Sequence, residues 1–225
     1  MASLLSVNLA NPRKEAFASS ARGTTGIDKR PASGPVEVRD PGPKTSGLGS
    51  GIVGDHIGDG RHHGGRDQAL YAFAREDLDY WQERLHRPVP NGFFGENLTT
   101  EGLDVNAALI GERWQLGRQV VVQVTDPRIP CATFRGWVGE KGWLKSFTEV
   151  ARPGTYLRVI TPGTITAGDP IEVVHRPHHD VTVSMVYRAL TTERERLPHL
   201  LTAGEDLTDD VRELAEAREL VQLDE

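Results

Sequence analysis

The chain has 225 residues, a formal charge of −6, a hydrophobic content of 37% and one cysteine. This length suits one large domain, or one domain with a small addition. The single cysteine excludes an intramolecular disulfide and fits a reducing cytoplasm, and the acidic balance argues against nucleic acid as a partner. No apolar run approaches the roughly 20 residues that span a bilayer, and the N-terminus lacks the pattern of a secretory signal. We therefore expect a cytoplasmic protein with no membrane partner.

The first half of the chain contains short extended segments and one helix. Apolar residues predict a first strand at the N-terminus, and alternating Val36 and Val38 predict another within a Gly- and Pro-rich stretch at 22–65. Apolar residues at three- and four-residue intervals predict a helix over 74–85, which ends before Pro88. The next stretch, "NGFFGENLTTEGLD", has the composition of a loop.

Strand patterns continue in the second half. "RWQLG" and "QVVVQVTD" predict a hairpin around Gly117 and Arg118, and "TYLRVI" and "PIEVVHR" predict a further pair. Between these pairs, residues 132–150 are predicted to be helical, although they contain three glycines. Because short strands dominate up to about residue 176, the fold class is mainly β, a closed or strongly curved β-barrel with peripheral helices.

The character of the sequence changes after the barrel region. Residues 182–225 contain no Trp or Phe and read as three short helices. Thr208 is a good N-cap, with Asp209 and Asp210 at the positive end of the helix dipole, and Val221 completes the apolar stripe of this last helix. We predict a barrel domain over residues 1–178 and a small three-helix domain over 179–225.

Cys131 is the first candidate for chemistry. It follows the strand "QVVVQV" in the segment "TDPRIPC", where Pro127 and Pro130 stiffen the backbone. The nearby Arg128 favours the thiolate, which attacks electrophiles or binds soft metals. The competing interpretation is a buried structural cysteine, because free cysteines are among the most buried residues.

The histidines raise the alternative of a zinc site. His62 and His63 are adjacent, which is unusual for two ligands of one metal, and the sequence has neither an HExxH nor a CxxC motif. A zinc site of His62, His63 and Cys131 stays open as an alternative. The second pair, His178 and His179, reads as a solvated linker at the predicted domain junction.

Glycines and arginines suggest an anion site. "GSGIVGDHIGDG" lacks the nucleotide-binding fingerprints, but consecutive glycine amides form nests for anions. Charge for a phosphate is supplied by Arg61, Arg66, Arg113 and Arg128. The competing interpretation for each arginine is a surface salt bridge.

Four ordered motifs resemble the MOSC domain, the C-terminal domain of molybdenum cofactor sulfurases, and within it the stand-alone YiiM-type members. They are "GRHHGGRDQALYAF", "NGFFGENLTTEGLD", "IGERWQLG" and "VTDPRIPC". The resemblance covers nearly the whole chain, and it also implies a three-helix segment after the barrel.

The resemblance implies a β-barrel that holds the molybdenum cofactor (Mo-molybdopterin). Cys131 then corresponds to the characteristic cysteine of the family, as molybdenum ligand or sulfur-bearing thiol. Lys29 and Arg128 correspond to groups near the anionic cofactor. The remaining implied cofactor-binding residues are Arg61, His63, Gly64, Arg66 and Asp67 in a first loop, and Phe94, Gly95, Glu96, Asn97, Leu98 and Thr99 in a second.

The resemblance also implies an activity. YiiM-type members are associated with the reduction of N-hydroxylated compounds, including hydroxylated base analogues, and the wider family with pyridoxal phosphate binding. The sequence has no flavin or nicotinamide fingerprint, which fits an external flavin- or iron-sulfur-type reductase as electron donor. The alternative is a module that only carries the cofactor or sulfur on Cys131. The sequence leaves the oligomeric state open.

Overall fold

One sheet of eight strands organises the structure, a computed structural model that describes residues 1–223. In chain order the strands are β1 (Ser3–Ala10), β2 (Arg13–Lys14), β3 (Thr24–Thr25), β4 (Lys29–Pro31), β5 (Val36–Val38), β6 (Leu70–Ala74), β7 (Leu98–Glu101), β8 (Arg113–Leu116), β9 (Val120–Pro127), β10 (Thr155–Thr161), β11 (Gly163–Ile165) and β12 (Ile171–His175). The helices are α1 (Arg75–Leu85), α2 (Ala132–Val138), α3 (Trp143–Val150), α4 (Val183–Thr191), α5 (Leu197–Leu200) and α6 (Asp209–Ala217). Tighter 3₁₀ turns lie at Arg66–Gln68, Arg194–Arg196 and Leu201–Asp206.

The large sheet has the order β12–β8–β9–β10–β6–β7–β1–β4. Its neighbours are antiparallel except β6 and β7, which are parallel and connected through α1. Parallel neighbours need such a crossover, whereas the antiparallel β8–β9 pair needs only a tight turn. The predicted hairpin at Gly117 and Arg118 is confirmed, with Leu116 opposite Val120. The predicted strand at Val36–Val38 is also confirmed, as the partner of β11.

The expected closed barrel is not found in the part of the chain that the structure describes. The strand order begins at β12 and ends at β4, which do not pair with each other. An isolated bridge between Ser3 and Pro170 connects the start of β1 with the residue before β12. Around this bridge Leu4 N donates to Asp169 O at 2.9 Å and Ile171 N donates to Ala2 O at 3.0 Å, but β1 and β12 form no longer ladder in the described residues. The fold is a mixed, sheet-dominated architecture with helices.

Two local predictions were wrong. The predicted loop "NGFFGENLTTEGLD" contains β7, which pairs with both β1 and β6 and is buried at Leu98, Thr99 and Thr100. The predicted helix at 132–150 is two helices, because Gly139 and Gly142, which separate α2 from α3, adopt left-handed φ angles of 68° and 73°.

The C-terminal segment fits the three-helix prediction in part. Helices α4 and α6 have nine residues each, but α5 is a single four-residue turn between 3₁₀ turns. Thr208 is the N-cap of α6 by position, yet its hydroxyl makes no capping bond and donates to Asp126 Oδ1 at 2.9 Å. Val221 lies beyond the helix. The division at residue 178 stays a prediction; α4 packs into the same apolar core as the sheet.

The interpretation of both C-terminal histidines as solvated was half wrong. His178 is exposed, but the side chain of His179 is only 9% exposed. Its Nδ1 accepts a hydrogen bond from Val181 N at 3.1 Å, and its Nε2 lies 3.6 Å from Asp206 Oδ2. His179 therefore helps to fix the start of the C-terminal segment and is not a solvated linker residue.

A second, aromatic core lies among α1, α2 and α3. Phe94 is in ring contact with Phe73, Trp81, Phe134 and Trp143, at centroid distances of 5.1–6.4 Å. Edge-to-face contacts of this kind add stability beyond the buried area. This core fixes the segment that carries Phe94 against the helix that follows Cys131.

No helix within residues 1–223 is long and apolar enough to cross a bilayer.

Candidate functional site

A cleft opens where the segment after β9 meets loops from the first half of the chain. Its volume is about 740 Å³ including the open mouth. It is lined by residues from five segments, 19–29, 50–59, 63–71, 94–97 and 128–133, and by Tyr156. The cleft brings together Lys29, His63, Gly64, Phe94, Gly95, Asn97, Arg128 and Cys131. These are eight of the residues that the sequence singled out.

Cys131 lies at the wall of this cleft, between the end of β9 and the start of α2. Its thiol is hydrogen-bonded to the side chain of His63. Burial raises the pKa of Cys131, but the His63 hydrogen bond and the positive charge of Arg128 outweigh it and bring the pKa down to about 6. The thiolate is therefore the main form at neutral pH, as in cysteines that bind metals or attack electrophiles.

Arg128 occupies the same wall, and its side chain is almost fully buried. Its Nη1 donates to Phe94 O at 3.1 Å, and its Cζ lies 3.8 Å from the Phe134 ring centroid and 5.5 Å from that of Tyr71. The guanidinium is thus held by aromatic faces and one carbonyl. Its Nε is buried without a hydrogen-bond partner, so one donor of a fixed cation is left unused near Cys131.

Lys29 lines the cleft, but its charge is already compensated. Its Nζ donates to both carboxylate oxygens of Asp55, at 2.6 and 2.7 Å. Asp55 also accepts hydrogen bonds from Ala10 N, Ser50 Oγ and Asn97 Nδ2. Burial raises the pKa of Asp55, but the charge of Lys29 and these donors bring it below its ordinary value. The pair connects β4 to the 50–59 segment, and the assignment of Lys29 to a phosphate stays a prediction.

The first implied loop is divided by the structure. His63 and Gly64 line the cleft, whereas its other members do not. Those other side chains form ion pairs instead: Arg61 with Asp59, which itself lines the cleft, at 3.3 Å, Arg66 with Asp40 at 3.2 Å, and Asp67 with Arg158 at 2.5 Å. The surface-salt-bridge interpretation describes these arginines, and Arg113 on β8 is also exposed and outside the cleft.

The glycines of this loop allow close packing, and they do not provide free backbone N–H groups for an anion. A Cβ on Gly64, whose φ is 83°, would lie 2.6 Å from Ile57 Cδ1 and 2.7 Å from Gly49 O. The N–H groups of His63 and Gly65 already donate to Asp59 O and Gly49 O. The loop is therefore fixed by its own hydrogen bonds, and a broad nest of free amides is not formed by these residues.

Some residues of the second implied loop line the cleft, and the others support the loop from behind. Phe94, Gly95 and Asn97 line the cleft, while Glu96, Leu98 and Thr99 are buried behind it. Glu96 accepts hydrogen bonds from Gly92 N at 2.5 Å, Phe94 N at 3.0 Å and Thr99 Oγ1 at 3.0 Å. Burial raises the pKa of Glu96 to about 7, although these donors oppose it. Glu96 therefore braces the turn that presents Phe94.

Several lining residues were missed by the sequence analysis. Ser19, Thr24 and Thr25 form a hydroxyl-bearing wall, and Gln68 and Tyr156 complete the lining. Tyr156 lies on β10, opposite Tyr71 of β6, and the two rings are 5.4 Å apart. The polar residues carry no motif, and the tyrosine pair is visible only from strand register. The alternation in "TYLRVI" was the one available signal, because it places Tyr156 on the face opposite Leu157.

The residues present fit an anionic cofactor with a soft metal. Cys131 is a low-pKa thiol, and Arg128 is a buried cation beside it. Three lining residues, His56, Gln68 and Arg128, each have a buried polar atom with no hydrogen-bond partner. Unpaired buried polar atoms cost about 1–3 kcal/mol each, so such a group is one that a polar ligand stabilises.

The alternative zinc site is not assembled. His62 lies outside the cleft, is 69% exposed and pairs with Asp59 at 3.1 Å. Within residues 1–223 no group of three or more His, Cys, Asp or Glu side chains is arranged to hold a metal ion. The His63–Cys131 pair alone supplies two protein groups, fewer than the three or four typical of protein zinc sites.

The fold and the cleft define the class of protein. The model of the MOSC domain family matches residues 59–172, about half of the chain, and the chain belongs to this family. Its match begins at the first loop of the cleft and extends through Cys131 to β12.

Individual relatives agree with this assignment. The uncharacterized protein YflK of Bacillus subtilis is 32% identical over 186 residues, which are 83% of this chain and 79% of that protein. The crystal structure of YiiM from Geobacillus stearothermophilus has a TM-score of 0.75 and 26% identity, covering 97% of this chain and 99% of that one. A protein of Gibberella moniliformis named reductase is 29% identical over 172 residues, 74% of this chain but 28% of that longer protein.

Proposed function

We propose that the chain binds the molybdenum cofactor in the cleft and reduces N-hydroxylated small molecules with electrons from a separate reductase. The observation that carries the proposal is the Cys131 thiol, with a pKa of about 6, next to Arg128 in a small-molecule cleft. Membership of the MOSC family and similarity to a protein named reductase support it.

In this proposal the side chains around Cys131 have separate tasks. The Cys131 sulfur, held as thiolate, ligates the metal, since thiolates prefer soft and borderline metals. Arg128 balances the negative charge of the cofactor, and His63 orients the sulfur through their hydrogen bond. When bound, the cofactor supplies redox chemistry at its metal that no protein side chain provides.

The open cleft serves the substrate. The rings of Tyr71 and Tyr156 make one part of its lining aromatic, and the wall at Ser19 and Thr24 is polar. Reduction of an N-hydroxyl group to N–H consumes two electrons and two protons and releases water. The electrons come from the partner reductase, which carries a flavin or an iron-sulfur group. The sequence of this chain has no fingerprint for binding a flavin or a nicotinamide itself.

The test is turnover of an N-hydroxylated base by protein from a molybdate-supplied host. Wild type, Cys131→Ser and the surface control Thr192→Ser are each mixed with 6-N-hydroxylaminopurine, a flavin reductase and NADH, and adenine is measured. We expect turnover in wild type and the control, and none in Cys131→Ser.

Two other outcomes count against the proposal. Bound cofactor without turnover in wild type favours the alternative of a non-catalytic carrier of cofactor or sulfur. Turnover that persists in Cys131→Ser removes the assigned role of the thiol.

A further inference from the structure

Eight residues in the described chain have a buried side-chain nitrogen or oxygen without a hydrogen-bond partner. Five of them lie away from the cleft: Arg39, Trp81, Thr100, Trp143 and His179. The other three line it, and of these Arg128 is already held by Phe94 and Phe134. His56, through Nε2, and Gln68, through Oε1, have no such explanation.

We propose that His56 and Gln68 recognise the polar edge of a flat, neutral nitrogen heterocycle in the Cys131 cleft. The inference rests on the proposed function, because the pterin of the cofactor and a hydroxylated base substrate both have such an edge. It goes beyond that function by naming the residues that hydrogen-bond to the edge of the heterocycle.

The backbone around both residues is closely packed and hydrogen-bonded, which limits where the two side chains can reach. The carbonyl of His56 lies 2.0 Å from where a Cβ on Gly26 would stand, which shows how closely these segments pack. Gln68 ends a 3₁₀ turn, its N–H donates to Gly65 O at 3.2 Å, and β6 begins two residues later. A fixed, unpaired polar group in a cleft is a group prepared for a ligand.

The chemistry of the pair selects the ligand class. A neutral imidazole Nε2 donates or accepts according to its tautomer, and a glutamine amide offers one acceptor and two donors. A ring edge with adjacent donors and acceptors matches this pair, whereas an anion matches only donors. Of the two cations that line the cleft, Lys29 is bonded to Asp55, and Arg128 is the one assigned to the anionic part of the cofactor.

Aromatic side chains contribute to the lining of the same cleft. Tyr71 and Tyr156 both line it, with centroids 5.4 Å apart and planes inclined by 43°. Contact with aromatic side chains tolerates many heterocycles, so specificity depends on the groups that hydrogen-bond to the ring edge.

The experiment measures heterocycle binding by cofactor-free protein, from a host that cannot make the cofactor. The probes are 6-hydroxymethylpterin and 6-N-hydroxylaminopurine, titrated by calorimetry. The variants are Gln68→Leu and His56→Phe, which keep bulk and remove the polar atoms, and the matched surface controls are Gln119→Leu and His178→Phe. Thermal unfolding is recorded for each.

We expect wild type and both controls to bind at least one probe, and each cleft variant to bind it about tenfold more weakly. We also expect the cleft variants to unfold at the same or a higher temperature without ligand, since an unpaired buried polar atom has been removed. Pterin binding identifies the cofactor edge as the partner, and purine binding identifies the substrate.

Unchanged affinity in both cleft variants, or no binding of either probe by wild type, overturns the inference. If Gln68→Leu does not fold, Gln68→Met replaces it under the same criterion. The result is independent of Cys131 and of turnover. Probe binding that depends on His56 and Gln68 therefore stands even if the protein proves not to reduce N-hydroxylated substrates.

Discussion

The side chain of His63 is hydrogen-bonded to the Cys131 thiol in the lining of the cleft, although the two residues come from distant parts of the sequence. This contact joins the first loop to the segment after β9. It also explains why a thiol in a largely buried position has a pKa of about 6 rather than a raised one.

Replacing His63 by Gln is therefore expected to raise the pKa of the Cys131 thiol by about 1–2 units, because the main group that opposes burial is weakened. The measurement is the rate of alkylation by iodoacetamide against pH, on cofactor-free protein. Wild type should show its inflection near pH 6. His178→Phe, at an exposed site, serves as control, and an unchanged inflection in His63→Gln contradicts the assignment.

The Lys29–Asp55 pair is expected to matter for stability. Lys29→Met leaves the Asp55 carboxylate buried without its cation, which costs about 3–5 kcal/mol of unfolding free energy. Asp55→Asn in the same chain should recover part of that loss, because the unpaired charge is gone. Urea unfolding of the two single variants and the double variant measures the coupling. Additive losses would show that the two groups do not stabilise each other.

Arg128→Lys is expected to destabilise the protein by about 1–3 kcal/mol, although the charge is kept. A lysine cannot lie flat on Phe134 and also reach Phe94 O as the guanidinium does. Urea unfolding measures the loss, and the exposed Arg61→Lys provides the comparison. Equal stability of the two variants would mean that the stacked geometry contributes nothing.

The sequence predicted the site better than the architecture. Cys131, His63 and Arg128 were identified from their motifs, and the structure brings them to one cleft. The ion pairs of Arg61 and Arg66 were not predictable as such, because their partners Asp59 and Asp40 are chosen by the path of the loops.

The errors in the fold have physical reasons. Strand β7 was missed because threonines in "NLTTEG" give a weak apolar alternation, and it is pairing on both sides that buries them. Closure of the sheet depends on long-range strand register, which no local pattern contains. His56 and Gln68 were missed because an unpaired buried atom is a property of packing.

Stability is expected to fall as the pH rises toward neutrality, through Asp126. Burial, opposed by the Thr208 hydrogen bond and reinforced by the charges of Asp67 and Asp210, raises the pKa of Asp126 to about 7 from 3.8. The folded state therefore binds this proton more tightly than the unfolded state. The contribution of the group is fully present below pH 3.8 and is lost as the pH rises through 7.

Asp126→Asn mimics the protonated acid and can still accept the hydrogen bond from Thr208. We expect this variant to gain at least about 1 kcal/mol over wild type at pH 8 relative to pH 4. Thermal or urea unfolding across this range measures the difference. The stability of the exposed Glu172→Gln variant should change with pH as that of wild type does. If the stability of Asp126→Asn also changed with pH as in wild type, Asp126 would be excluded as the titrating group.

The proposed function is tested most directly by the molybdenum and pterin content of purified protein from a molybdate-supplied host, compared between wild type and Cys131→Ser. We predict close to one molybdenum and one pterin per wild-type chain, and strongly reduced molybdenum in Cys131→Ser. Wild-type protein that carries neither molybdenum nor pterin, in a host that makes the cofactor, would contradict it.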